Sequence, residues 1–347
     1  MPLASPSAQG HANSHYQHLN IPDATLVTYA RGFILLTAPG ASRVISRLSD
    51  MYAATTQAES TALRTLLRSL GQIVLQGNAV TGACVLAALL VCDLRLACAA
   101  LIGTVAANVS AVLAGYDEHD TRAGLHGFNG ALAALAAFTF IADDATAAAA
   151  AILAATATAW MLRPWRRLLR RFRLGLYSSP CLIVTWAWLP LVRLAAHPDA
   201  QNGVGAASYL EAIHGVLAGV AQTTFASGTV SGLLIIAGIA TSSRRHAFWA
   251  LSGAALASGG HLLMGATPSS LDAGLPGFNG ALTALAVADC GAGVTVAAVA
   301  LSVLLQQAFG YCGWTFMTAP FVISAWCAHG FECLKIGHRM RSRLTEK

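Results

Sequence analysis

Residues 123 to 135 read AGLHGFNGALAAL and residues 273 to 285 read AGLPGFNGALTAL, so eleven of thirteen positions are identical at a spacing of 150. Such self-similarity makes the chain a duplicated architecture before any helix or strand is assigned. Two further landmarks follow the same order. The stretch 71-GQIVLQGNAVTG-82 aligns with 221-AQTTFASGTVSG-232 at the same offset, placing Gln72 over Gln222. The stretch 177-YSSPCLIVTW-186 aligns with 317-MTAPFVISAW-326 at an offset of 140, placing Pro180 over Pro320 and Trp186 over Trp326. The second copy is therefore ten residues shorter, and the loss falls most simply in the arginine-bearing segment of the first. The expected organisation is an N-terminal extension over 1–60, a first repeat over 61–198, a linker over 199–204, a second repeat over 205–336 and a basic tail over 337–347.

The solvent of these repeats follows from composition. Of 347 residues 56% are hydrophobic and 10% charged, with a mean hydropathy of +0.59. Apolar windows of about 17 to 25 residues recur, the length a helix needs to cross about 30 Å of hydrocarbon. The chain reads as an all-α polytopic membrane protein. Spanning segments are expected near 64–78, 80–94, 96–115, 145–162 and 178–195, and again near 206–226, 229–241, 247–265, 291–309 and 318–334. Five spans is an odd number, so the second repeat enters from the opposite face: two inverted repeats, each of five transmembrane helices plus one re-entrant half-helix, with the solute site between them.

The formal charge of +6 lies largely in 163-RPWRRLLRRFR-173 and 335-KIGHRMRSRLTEK-347. Beside apolar spans such runs set orientation rather than bind nucleic acid. With both termini cytoplasmic, the six arginines and the tail face inward and 116-YDEHD-120 faces outward, while Arg244 and Arg245 are a misfit on the outside. The eight cysteines form no CxxC pair and meet no histidine at metal spacing, so they read as small buried hydrophobes and no metal or cofactor is implied. Residues 1–60 carry an apolar run, 33-FILLTAP-39, that is too short to span and lacks a basic preceding region, and they are taken as a partly disordered cytoplasmic extension.

Each Gly-Phe-Asn-Gly phrase opens an apolar stretch of about half a bilayer. Irregular backbone at membrane depth survives only where it lines a cavity or is buried in protein. Gly127, Gly130, Gly277 and Gly280 then allow turning and close approach, and Asn129 and Asn279 cap the half-helix starts. Two helix N-termini facing the midplane would repel a cation, while loop carbonyls offer acceptors, which suits a small neutral polar solute. Gln72 with Leu75, and Gln222 with Phe225, stand at i and i+3 and share a helix face. Buried amides at matching places in both halves need partners, either a neighbouring helix or a solute. Ser178 and Thr318 place hydroxyls at matching depth. No ladder of acidic residues, sensor helix or paired histidine is present, so ion coupling and ammonia conduction lack their usual groups. A membrane-embedded enzyme lacks a nucleophile, base or metal constellation.

The two Leu-Pro-Gly-Phe-Asn-Gly-like phrases, each preceded by a Gly-Gln helix and followed by a Thr-Ala-Pro-Phe-like span, resemble the urea transporter family over about 61–336. That resemblance implies a homotrimer, each subunit passing urea down its gradient; the chain is read as a passive urea channel of the cell inner membrane, with a channel for another small neutral amide or ammonia as the alternative. It also implies a filter in which Phe128 with Leu132, and Phe278 with Leu282, flank the slots. Gln72 and Gln222 would add oxygens, Ile73 and Thr223 would line the outer and inner sites, and Ser178 with Thr318 would frame the middle. Phe225 would be a slot residue, with Leu75 where an aromatic is expected. His126, Leu75, Gln222 and the Ser178–Cys181 stretch depart from the family pattern.

Overall fold

A computed structural model describes residues 61–193 and 209–331 of the chain. The N-terminal extension, the linker and the tail expected above lie outside these residues. The described residues form only helices and turns. In the first half these are α1 (61–72), α2 (Ala79–Cys92), α3 (Leu94–Leu113), the short α4 (Glu118–Arg122), α5 (Gly127–Phe140), α6 (Asp144–Arg171) and α7 (Ser179–Arg193). In the second they are α8 (Tyr209–Gln222), α9 (Thr229–Ser242), α10 (Arg244–Leu263), the short α11 (Pro268–Asp272), α12 (Phe278–Val287), α13 (Ala292–Tyr311) and α14 (319–331).

Three of these helices, α3, α6 and α13, are long and apolar enough to cross a membrane. Their outward faces carry large apolar side chains. Val112, Leu113, Leu153 and Trp160 are each more than half exposed, an arrangement water would penalise and lipid does not. Of the described cysteines only Cys181 is buried, and Cys98, Cys312 and Cys327 are exposed, so the expectation of buried cysteines fails there.

The halves are related by a pseudo-twofold axis that hydrogen bonds locate. Thr81 Oγ1 donates to the Gly238 carbonyl at 2.8 Å, and the repeat-equivalent Ser231 Oγ donates to the Ala88 carbonyl at 3.0 Å. Trp186 Nε1 donates to the Thr315 carbonyl at 2.9 Å, and Trp326 Nε1 to the Gly175 carbonyl at 2.8 Å. Reciprocal pairs are what a twofold contact produces. Because Thr81 meets Gly238 while Ala88 meets Ser231, α2 and α9 lie antiparallel, and the axis runs across these helices rather than along them.

Within each half the long helices pack through small residues. An ideal Cβ on Gly130 would fall 2.6 Å from the Gly103 carbonyl oxygen, and one on Gly280 would fall 2.4 Å from that of Gly253. At the far end of this contact Arg95 donates to the carbonyls of Phe138, Ile141 and Ala142 and pairs with Asp144. Thus α5 runs antiparallel along α3 and ends where α3 begins. The half-helix does not turn back; approach loop and helix together reach from one end of α3 to the other. Arg245 does the same for α12, donating to Ala288 at 2.7 Å and pairing with Asp289 at 3.0 Å. A cation at a helix C-terminus is favourable, which accounts for the arginine that charge counting left as a misfit.

Three other expectations are corrected. The arginine-rich stretch is helix as far as Arg171, with Pro164 inside it. Proline leaves the carbonyl four residues back without its donor, and the Tyr116 hydroxyl supplies one, to Trp160 at 3.1 Å. Tyr116 belongs to the acidic turn, and Arg166 pairs with Asp120 while Arg163 donates to the Gly115 carbonyl at 2.6 Å. The acidic turn and the arginines therefore share one end of the molecule and do not face opposite sides. Finally, 64–78 and 206–226 are not continuous spans, because α1 and α8 stop at Gln72 and Gln222. At the opposite end Asp143 caps α6, its carboxylate accepting from the Thr146 N–H and hydroxyl, which hold it below the usual carboxylate pKa.

Candidate functional site

The ends of α1 and α8 carry the first site elements. After Gln72 the helix tightens: Ile73, Val74 and Leu75 donate to carbonyls three residues back, and Leu75 adopts φ of +59°. Thr223, Thr224 and Phe225 repeat this, with Phe225 at +62°. A non-glycine residue in the left-handed region costs about 1 kcal/mol or more, and here it occurs at repeat-equivalent positions. Its effect is to take Leu75 and Phe225 off the helix face that spacing alone would share with Gln72 and Gln222. Both side chains instead pack against the two apolar clusters that hold Phe128 and Phe278.

Depth follows from neighbours. Gly215 abuts Leu271, and Gly219 abuts Gly274 and Gly277, so α8 descends alongside the approach loop. It ends at a cavity of about 360 Å³ whose wall includes Gln222, Thr223, Phe225, Phe278 and Thr318. The Oγ1 of Thr318 lies 2.7 Å from the Oγ of Ser178, its repeat mate. Equivalent residues meet only on the pseudo-twofold axis, so this cavity reaches from the end of α5, at Thr139 and Phe140, to that axis. The two hydroxyls bond each other and not their own helices.

Both phenylalanines of the repeated phrase are buried, as are Leu132 and Leu282 one turn on. Phe278 stacks on Phe316, with ring centroids 6.3 Å apart and an interplanar angle of 25°. Gln72 donates Nε2 to the Ala123 carbonyl at 3.3 Å, which fixes the amide and turns its Oε1 away from that contact. Thr223 Oγ1 spends its proton on the Val220 carbonyl at 2.7 Å, so what it presents to the cavity is an acceptor. Ile73 is buried within the Phe128 cluster and offers only apolar surface.

Asn129 and Asn279 do not cap their own helices: α5 and α12 have no side-chain cap. Each reaches instead to the start of the last helix of its half, α7 or α14. Asn129 donates to the Tyr177 carbonyl and accepts from the Cys181 N–H, both at 3.1 Å. Asn279 donates to the Met317 carbonyl at 3.0 Å and accepts from the Phe321 N–H at 3.3 Å. Tyr177 and Met317 have φ of +45° and +43°. The asparagines thus hold the strained residues that set Ser178 and Thr318 on the axis. The four phrase glycines serve close packing; the left-handed turn of the approach falls to Gly124 and Gly274, at φ of +81° and +72°.

Sequence reading missed the aromatic wall of the cavity, Trp314 and Phe316, and the end of α5, Thr139 and Phe140. The repeat comparison hid the first two, because their equivalents at the 140 offset are Leu174 and Leu176. It also missed Gln306, which accepts from Asn279 Nδ2 at 2.8 Å and donates to the Leu275 carbonyl at 2.9 Å.

A family model described as urea transporter matches residues 63–331. Comparison with curated proteins returned no match.

Proposed function

The chain belongs to the urea transporter family, and on that premise we propose that it passes urea passively, as a channel, through a filter made by the two Gly-Phe-Asn-Gly helices and the ends of α1 and α8. The family places the protein in a membrane, with urea as its solute and transport, not catalysis, as its activity. The proposal concerns the path.

One observation carries it: each half ends a helix on a glutamine, buries the phenylalanine of its repeated phrase and sends a hydroxyl to the axis, where Ser178 and Thr318 meet at 2.7 Å. Urea is planar, uncharged and rich in N–H donors. Losing water forfeits hydrogen bonds worth about 4–6 kcal/mol each in an apolar medium, so a dry slot must return acceptors. Gln72 and Gln222 Oε1, the Thr223 hydroxyl, the hydroxyl pair and the carbonyls of the approach loops form that ladder. Phe128 with Leu132 and Phe278 with Leu282 exclude thicker or hydrated solutes, Ile73, Leu75 and Phe225 complete the walls, and helix N-termini directed at the path oppose cations. Neutral solute and the lack of an intramembrane ionisable ladder support uncoupled movement.

In this reading the halves are inverted repeats of five spans and one half-helix each, and the described residues of each half carry six helices of ten residues or more. Homotrimer formation in the inner membrane completes the reading, supported by the exposed apolar faces. Stopped-flow light scattering on proteoliposomes, comparing urea, acetamide, glycerol and methylammonium, tests it. Urea entry should exceed that of empty vesicles and methylammonium should not; urea permeability equal to empty vesicles refutes the proposal.

A further inference from the structure

Helix α6 is longer than a crossing requires. Its 28 residues extend about 42 Å against about 30 Å of hydrocarbon, so its last turns stand at headgroup level. On those turns Arg163, Arg166, Arg167 and Arg170 line a cavity of about 190 Å³ closed by Tyr116 and His126. We infer that this cavity is a binding site for one phosphate-class anion, carried by an acidic lipid headgroup or free in solution.

The two aspartates that also border it are already committed. Asp120 pairs with Arg166, and Asp117 Oδ1 accepts the N–H groups of His119 and Asp120 at 2.8 and 3.2 Å. Arg163 is anchored over the Tyr116 ring at 4.3 Å and keeps its charge. Arg167 and Arg170 are exposed and make no hydrogen bond or ion pair among the described residues. Two guanidinium forks are therefore free beside a positive wall, the arrangement that phosphate oxygens match bidentately. The volume is below the roughly 300 Å³ at which sites for drug-sized ligands begin, and suits a single phosphate group. Leu168 and Phe172, exposed beside the arginines, offer apolar contact to an acyl chain. A basic pocket at the cytoplasmic end of a span is where acidic headgroups concentrate.

Native mass spectrometry of the full-length protein in detergent tests this, titrating phosphatidylglycerol against phosphatidylcholine and adding inorganic phosphate as competitor. The wild type should retain phosphatidylglycerol in preference, and R167Q/R170Q should weaken that retention by about thirtyfold, with R167K/R170K recovering part of it. Displacement by inorganic phosphate assigns the site to the free anion as well, and resistance to it assigns the site to the lipid; both support it. Equal retention of the two lipids, with no binding of phosphate, overturns it. So does retention by R167Q/R170Q equal to wild type. Neither arginine lines the urea path, so unchanged urea permeability shows that the variant is folded, and loss of permeability alone bears on the channel and not on this site.

Discussion

Ser178 and Thr318 are the residues in which the duplication becomes physical, because each is the other's hydrogen-bond partner at the axis. Both are buried, so removing one hydroxyl orphans the other at a cost of about 1–3 kcal/mol. The single changes Ser178→Ala and Thr318→Ala should therefore each lower the thermal unfolding midpoint. The double change should be less destabilising than the sum of the two, a coupling that a double-mutant cycle measures. Additive effects would mean that the two hydroxyls do not depend on each other. Gln72 differs from this pair, since a structural bond accounts for its Nε2 and leaves its oxygen as the acceptor that the proposed filter uses. Gln72→Ala should lower urea flux about fivefold, the worth of about 1 kcal/mol, and Phe278→Ala should relax the slot and raise acetamide flux relative to urea. Unchanged flux and selectivity in both variants, measured on folded oligomer, would remove these residues from the filter.

At the scale of elements, the sequence was legible where packing is periodic and local. The duplicated phrase announced two equivalent helices, and α5 and α12 begin within one residue of where it placed them. Apolar length sufficed for α3, α6 and α13. It failed for α1 and α8, because Leu75 and Phe225 are good apolar continuations whose left-handed backbone is imposed by tertiary contacts. It failed for the asparagines too. Their type suits a cap, but which backbone they cap depends on a chain segment about 50 residues on in the first half and 40 in the second. Those contacts predict that Asn279→Ala is worse than loss of a local cap, since it frees Met317 from its strained conformation and leaves buried backbone groups unpaired. Gly280→Val should be worse still: its Cβ alone would approach the Ala257 Cβ to 2.4 Å and the Gly253 oxygen to 2.4 Å. Overpacking of this kind costs about 1–3 kcal/mol or more. A thermal midpoint for Gly280→Val equal to wild type would contradict the close crossing of α10 and α12.

For the whole molecule, the placement of charge changes once contacts replace span counting. Counting spans sent the acidic turn 116–120 and the arginines of α6 to opposite sides, whereas Arg166 and Asp120 form an ion pair. Arg245 and His246 join the same end by a chain of contacts, because Gln76 bonds His246 at 3.1 Å and the neighbouring Gly77 lies against Gln72 and Ala123. One end then gathers the six arginines of 163–173, the acidic turn and the start of α10, while Arg95 and Asp144 mark the other. The rule that Lys- and Arg-rich ends stay cytoplasmic acts on that sum without a misfit. Thiol labelling decides it: in right-side-out vesicles a membrane-impermeant maleimide should label Asp144→Cys beyond the wild-type level and should miss both Glu118→Cys and Arg167→Cys until the vesicles are opened. Glu118→Cys and Arg167→Cys must behave alike whichever way the protein sits, because the salt-bridged end is a single surface. Labelling of one from outside and the other only from inside would break the fold described, whereas labelling of both from outside would reverse the orientation and leave the fold intact.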